Sequence, residues 1–237
     1  MQRADLRVKI FADGADLTSI TELSRDSRIA GFTTNPTLIR KAGLSDYESF
    51  AKEFLTYVVK SPVSFEVLAD DPADMVRQAR IISGWGDNVY VKVPVTNTKG
   101  VSTAPEVRAL SADGVKVNVT AIFTIAQVET MATALREGAP SNLSVFAGRV
   151  ADAGLDPTPI VKQAVEISAG LPFCEIIWAS PREVLNAVQA DAVGCHIITM
   201  TPDLIAKLDT LGKNLDKFSL DTVTMFHSDA QAAGLTI

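Results

Sequence analysis

The chain has 237 residues, 47% hydrophobic and 21% charged, with 14 Gly and 11 Pro, a globular composition that excludes collagen-like, low-complexity and wholly disordered chains. A net charge of −6 argues against a nucleic-acid-binding surface, and no stretch approaches the ~20 unbroken apolar residues that span a bilayer. The two cysteines, Cys174 and Cys195, are too few for a disulfide scaffold, no Cys/His group has metal-ligand spacing, and residues 1–6 lack signal-peptide anatomy, so a cytoplasmic protein with reduced thiols is expected.

Short β-branched runs alternate with helix-length segments from end to end. The runs cover residues 7–12, 31–33, 63–67, 89–95, 116–119, 142–145, 175–178 and 194–200. Several lack polar/apolar alternation, as parallel strands buried on both faces do. Helix starts are marked by Asn35-Pro36, Asp71-Pro72, Asp156-Pro157 and Thr201-Pro202, a cap followed by proline at the first helical position. Thr124 opens a helix predicted over 125–138, with Gly138 as its stop. Eight such units fit a single α/β domain over 1–237, a closed (β/α)8 TIM barrel. The open doubly wound sheet is the alternative, but no strand is followed by G-x-G-x-x-G. Residues 218–237 add a C-terminal helical extension, one face marked by Leu220, Val223, Phe226, Ala230 and Ala233. That face packs either on its own barrel or on a neighbouring subunit.

In such a barrel the active site forms at the C-terminal ends of the strands. Asp13 ends the first run, Asn35 follows the second, Glu66 lies late in the third and Lys92 inside the fourth. Asn118 and Thr120 share one side of the fifth strand, Ser144 is on the sixth and Ser180 follows the seventh. Lys92 is flanked by Val91 and Val93. Burying its ammonium among branched side chains would favour the neutral amine that Schiff-base formation needs. Alternatively it snorkels to solvent or pairs with a carboxylate such as Glu66. Taken singly, Asp13-Gly14 reads as a turn, Asn35 as a helix cap and Glu66 as a solvated strand end; together they could serve imine and carbon–carbon bond chemistry, with Glu66 as proton shuttle and Asp13 as base. His196 and Cys195, read within the eighth strand, are taken as packed residues, and Trp178 as either mouth lining or core filler.

The segments KIFADGADL, GFTTNPTLIRK, SFEV, VYVKVP, VKVNVTAIFT and SVFAGRVAD stand in an order and spacing that resembles the transaldolase family, most strongly its short-chain branch, which includes the fructose-6-phosphate aldolases. The resemblance runs over about residues 9–233. It implies a (β/α)8 barrel with a class I Schiff-base mechanism, free of metal and cofactor, moving a dihydroxyacetone unit from a ketose phosphate to an aldehyde. By resemblance Lys92 forms the imine, Asp13 is the acid/base for the donor hydroxyl, and Glu66 acts through a water near Thr120. Asn35 and Asn118 match partners of the donor hydroxyls, Ser144 helps seat the dihydroxyacetone unit, and Arg149 matches a phosphate-binding arginine. The aldolase members tend to carry glutamine in place of Glu66 and tyrosine in place of Phe146, so this chain resembles the transferases. Without a phenol near the enamine, water is less readily activated to release free dihydroxyacetone. Free ketose cleavage without an acceptor is the runner-up, and a non-catalytic metabolite-binding barrel the third reading.

After the seventh strand the pattern departs from the family. Ser180 matches, but Pro181 stands where a bulky apolar residue is usual. Read without a gap, Arg182 takes the place of a second phosphate ligand; read with Pro181 as the first helical residue, Arg182 faces elsewhere. The implied partners are small sugar phosphates and further copies of the chain in a pentamer or decamer, with no nucleic acid or membrane.

Overall fold

The computed structural model describes residues 2–136, 138–171 and 173–237. Eight strands pair in parallel around a closed barrel in chain order: β1 (Lys9–Asp13), β2 (Ile29–Thr33), β3 (Val63–Glu66), β4 (Val89–Pro94), β5 (Val117–Ile122), β6 (Ser141–Val145), β7 (Cys174–Trp178) and β8 (Ile197–Met200). The helices between them are α1 (Leu17–Leu23), α2 (Pro36–Lys41), α3 (Tyr47–Tyr57), α4 (Pro72–Ser83), α5 (Ala104–Ala112), α6 (Ile125–Ala134), α7 (Ala147–Asp152), α8 (Thr158–Ser168), α9 (Leu185–Ala192) and α10 (Pro202–Lys207), with α11 (Leu215–Ala232) at the end. The expected TIM barrel is therefore the fold.

Except at Thr201, whose hydroxyl donates to Asp203 and caps no amide, the start signals work through side-chain oxygens that satisfy free amides of the first turn. Asp71 accepts from the amides of Ala73 and Asp74, and Thr124 forms a reciprocal capping box with Gln127. Two boundaries differ from expectation. Pro157 sits at the cap of α8, not at its first turn, while Asp156 accepts from Thr158. Helix α6 ends at Ala134, so Gly138 is not its stop. Gly138 instead presses on α5, where a Cβ would lie 1.7 Å from Ser111 Oγ. Cys195 and His196 precede β8 and do not belong to it. Both thiols are buried and free, and desolvation pushes Cys174 up to about 11 and Cys195 to about 12.

The main core lies between the barrel and its helices, and Trp178 is fully buried within it. A smaller cluster of Phe11, Ile177, Ala179 and Ile197 fills the barrel's own centre. Gly31 makes room for it, since a Cβ there would meet the Phe11 ring at 2.5 Å. Two residues further along each strand, on the same face, Phe11 gives way to Asp13, Gly31 to Thr33 and Ile197 to Thr199. The barrel is thus plugged below and polar above.

Helix α11 buries none of its residues. Leu215, Leu220, Val223 and Phe226 are each at least 60% exposed. The apolar face begins before residue 218 and does not pack on its own barrel.

Candidate active site

A cavity of about 480 Å³ opens at the C-terminal ends of the strands, lined by Asp13, Asn35, Glu66, Lys92, Thr120, Ser144, Phe146, Arg149, Ser180 and Arg182, together with Thr33 and Thr199. Ten of the eleven residues singled out in the sequence meet in it; Asn118 does not line it. The β3–β4 register sets Glu66 beside Lys92. Lys92 Nζ lies 3.1 Å from Glu66 Oε2 and donates to the Thr34 carbonyl at 2.9 Å. Lys92 is only 8% exposed and Glu66 18%, so the lysine neither snorkels outward nor leaves the cavity. It is paired, and the pair faces the space where a ligand would sit.

Asp13 accepts from Thr33 Oγ1 at 2.9 Å and from Asn35 Nδ2 at 3.5 Å. Asn35 is both cap and site residue: its Oδ1 accepts from the Leu38 amide at 2.9 Å, and that bond turns its amide nitrogen toward Asp13. Desolvation pushes the Asp13 carboxyl above the usual carboxylate range. The Lys92 charge and the bonds from Thr33 and Asn35 pull the other way, while the Glu66 charge adds to the rise.

Asn118 lies outside the cavity lining. It is fully buried under the cavity floor, donating to Ser64 Oγ at 3.0 Å and accepting from Ser144 Oγ at 2.7 Å. It therefore orients Ser144, which does reach the cavity. Thr120 Oγ1 is buried with no partner among the described residues. The next residue, Ala121, has φ +60, and the β5–β6 register breaks between Val119 and Ile122. This bulge lets Ala121 join Thr120 in the cavity wall.

The cationic rim comes from α7 and the loop after β7. Arg149 stands exposed, its guanidinium carbon 5.7 Å from the Phe146 ring centre. Ser180 has φ +61, and a Cβ on Gly148 would come 1.4 Å from the Ser180 carbonyl oxygen. The glycine thus lets the start of α7 abut that loop and brings both arginines to one side of the mouth. Pro181 does not begin a helix; the loop continues through Val184, which leaves Arg182 on the cavity wall. Its guanidinium is engaged by Asp152, with Nε 3.0 Å from Oδ1, and this bond holds the Asp152 carboxyl below its usual range.

A family model described as transaldolase/fructose-6-phosphate aldolase matches residues 10–237. The chain belongs to this family. The "Probable transaldolase" of Dehalococcoides mccartyi is 37% identical over 194 residues, covering 81% of this chain and 86% of that one. The "Probable transaldolase 2" of Listeria monocytogenes is 38% identical over 203 residues, covering 85% and 88%. Among solved structures, dihydrodipicolinate synthase from Rhodopseudomonas palustris superposes with a TM-score of 0.58 at 16% identity, covering 97% of this chain and 81% of that one; at that identity the likeness is one of fold. Membership makes the chain a transaldolase-family enzyme and implies sugar phosphate substrates.

Several residues of this transaldolase-family site carried no signal in the sequence. Tyr47, at the start of α3, accepts from the Glu66 amide at 2.7 Å and packs edge-on against Phe65 and Trp85; burial pushes its phenol well above the usual range. Ser64 and Asp152 hold Asn118 and Arg182. Thr33 and Thr34 lay inside the TTNP motif, but nothing in the sequence gave them roles. Among the described residues no group of three His, Cys, Asp or Glu side chains could hold a metal, and no helix is long and apolar enough to cross a membrane.

Proposed function

We propose that the protein is a class I transaldolase that moves a dihydroxyacetone unit from a ketose phosphate to an aldehyde acceptor through an imine on Lys92. The observation that carries this reading is the placement of Lys92 Nζ in the cavity wall, 3.1 Å from Glu66, with the Asp13 carboxylate, made more basic by burial, in the same wall. Glu66 takes a proton from the lysine ammonium, and the free amine attacks the donor ketone. The carbinolamine hydroxyl leaves as water with a proton returned by Glu66, assisted by a water held on Thr120, giving the iminium.

Asp13 then takes the proton of the hydroxyl β to the iminium carbon. The carbon–carbon bond breaks, its electron pair passes into the iminium to form the enamine, and the first aldehyde leaves. The enamine attacks the acceptor aldehyde, Asp13 returns its proton to the new alkoxide, and water releases the ketose from Lys92. Asn35 and Ser144 hold donor hydroxyls, and Asn118 acts by fixing Ser144. Arg149 is the principal phosphate partner, because Arg182 must first release Asp152. Phe146 offers no hydroxyl to activate water at the enamine, which favours transfer over free cleavage.

Borohydride added with a ketose phosphate should fix a covalent adduct on Lys92, and Lys92→Met should abolish both adduct and turnover. Retained turnover in that variant refutes the mechanism. Donor consumption that is independent of added aldehyde would make the enzyme an aldolase instead. We further propose that the protein works in the cytoplasm as a homo-oligomeric ring, with α11 seated on a neighbouring copy.

A further inference from the structure

The opposite end of the barrel carries a second polar cavity. At about 570 Å³ it falls within the ~300–1,000 Å³ typical of small-ligand sites. It lies between the segment that precedes β1, the first residues of β1 and the turn after α10. Leucine and isoleucine side chains form one wall, while Arg3, Lys9, Arg28 and Asp209 supply the charged lining.

Two of those cations already hold a carboxylate at hydrogen-bond distance, although Arg28 Nη1 is left over. Lys9 Nζ is 2.6 Å from Glu175, and Arg28 makes a forked pair with Asp26, both Nε and Nη2 at 2.8 Å from its oxygens. Arg3 is different. Its side chain is only 9% exposed, yet Nε and Nη2 are buried with no hydrogen-bond partner among the described residues. The nearest carboxylates, Asp209 and Asp26, pair with it only loosely, 3.5 Å from Nη1 and 3.8 Å from Nη2, and neither makes a hydrogen bond. Asp209 is 66% exposed and hovers between Arg3 and Arg28, 3.7 Å from the latter. A buried guanidinium with unmet donors costs stability unless something accepts from it, and a planar fork is matched by an oxyanion. Residues 1–9, which include Arg3, also lie outside the stretch that matches the family, whereas every active-site residue lies inside it.

We propose that this cavity is a second, non-catalytic ligand site, taking a small molecule that presents an oxyanion, phosphate or carboxylate, on a compact apolar body. The oxyanion takes the place of Asp209 between Arg3 Nη1 and Arg28 Nη1, which Asp209 approaches at 3.5 and 3.7 Å, and turns Asp209 out to solvent, while the body rests on the apolar wall.

The test uses full-length Arg149→Ala protein, which lacks the main active-site cation, titrated calorimetrically with phenyl phosphate, benzoate and phenol. Saturable binding of one or both anions, with none for phenol, is expected, and the anion that binds fixes the class. Adding Arg3→Gln should weaken binding by about tenfold or more, and adding Asp209→Asn should strengthen it by removing the competing carboxylate. Because Arg3→Gln could loosen the entry segment, Asp209→Asn serves as the independent arm. No saturable binding of either anion overturns the proposal, as does an affinity that neither substitution moves.

Discussion

Asp13→Asn measures what the fold sacrifices to keep a carboxylate at the barrel mouth. Burial lifts the carboxyl above its ordinary 3.8, outweighing the Lys92 charge and the bonds from Thr33 and Asn35. Between 3.8 and that raised value the folded chain holds more protons than the unfolded chain, so stability falls as pH rises through the window, and the whole penalty applies above it. Each unit of the rise is worth ~1.4 kcal/mol. Asparagine has the same shape without the charge and removes the penalty. Against this, its new amide group faces Asn35 Nδ2, which the Leu38 cap holds in place, and that lost bond costs about 1 kcal/mol or less. The net expectation at neutral pH is a variant more stable than the wild type, with turnover lower by about 10²–10⁴ through loss of the base. Urea unfolding of both proteins at about pH 4 and about pH 8 reads the difference, which should lose its favourable part in acid, where only the missing Asn35 bond remains, and favour the variant most in base. A variant less stable than the wild type at the higher pH, or a gap that does not change with pH, refutes the reasoning.

Arg149→Ala should raise KM for a phosphorylated donor by about tenfold or more while sparing an unphosphorylated analogue. Arg182→Ala should raise it less, because that guanidinium is already spent on Asp152; initial-rate kinetics compare the two, and equal effects would mean that Asp152 yields to the substrate at no cost. Gly31→Ala drives a methyl to within 2.5 Å of the Phe11 ring and should destabilise the fold by about 1–3 kcal/mol. Phe11→Leu should relieve part of that loss, as read by Tm. Phe226→Glu with Val223→Lys should break the proposed ring into smaller species in light scattering while far-ultraviolet circular dichroism stays unchanged, since α11 buries nothing within its own chain; a wild type that is already monomeric refutes the ring.

The eight strands, the order of the helices and the polar residues at strand ends were legible because they rest on local rules. Branched runs mark strands buried on both faces, and a capping oxygen before proline marks a helix start. Lys92, Glu66 and Asp13 could be placed at one mouth because parallel strands in a barrel all end on the same side. The sequence could not tell whether Lys92 stood alone or paired, since the Glu66–Lys92 pairing is a matter of register between β3 and β4. It could not put Asn118 under the floor, which needed Ser64 and Ser144 from two other strands. Nor could it choose between the two placements of Arg182, which the contact between Gly148 and Ser180 and the grip of Asp152 decide. Periodicity and capping act between near neighbours in the chain and can be read from their order. Pairing, desolvation and charge competition arise between residues tens of positions apart, and only the closed barrel brings those together.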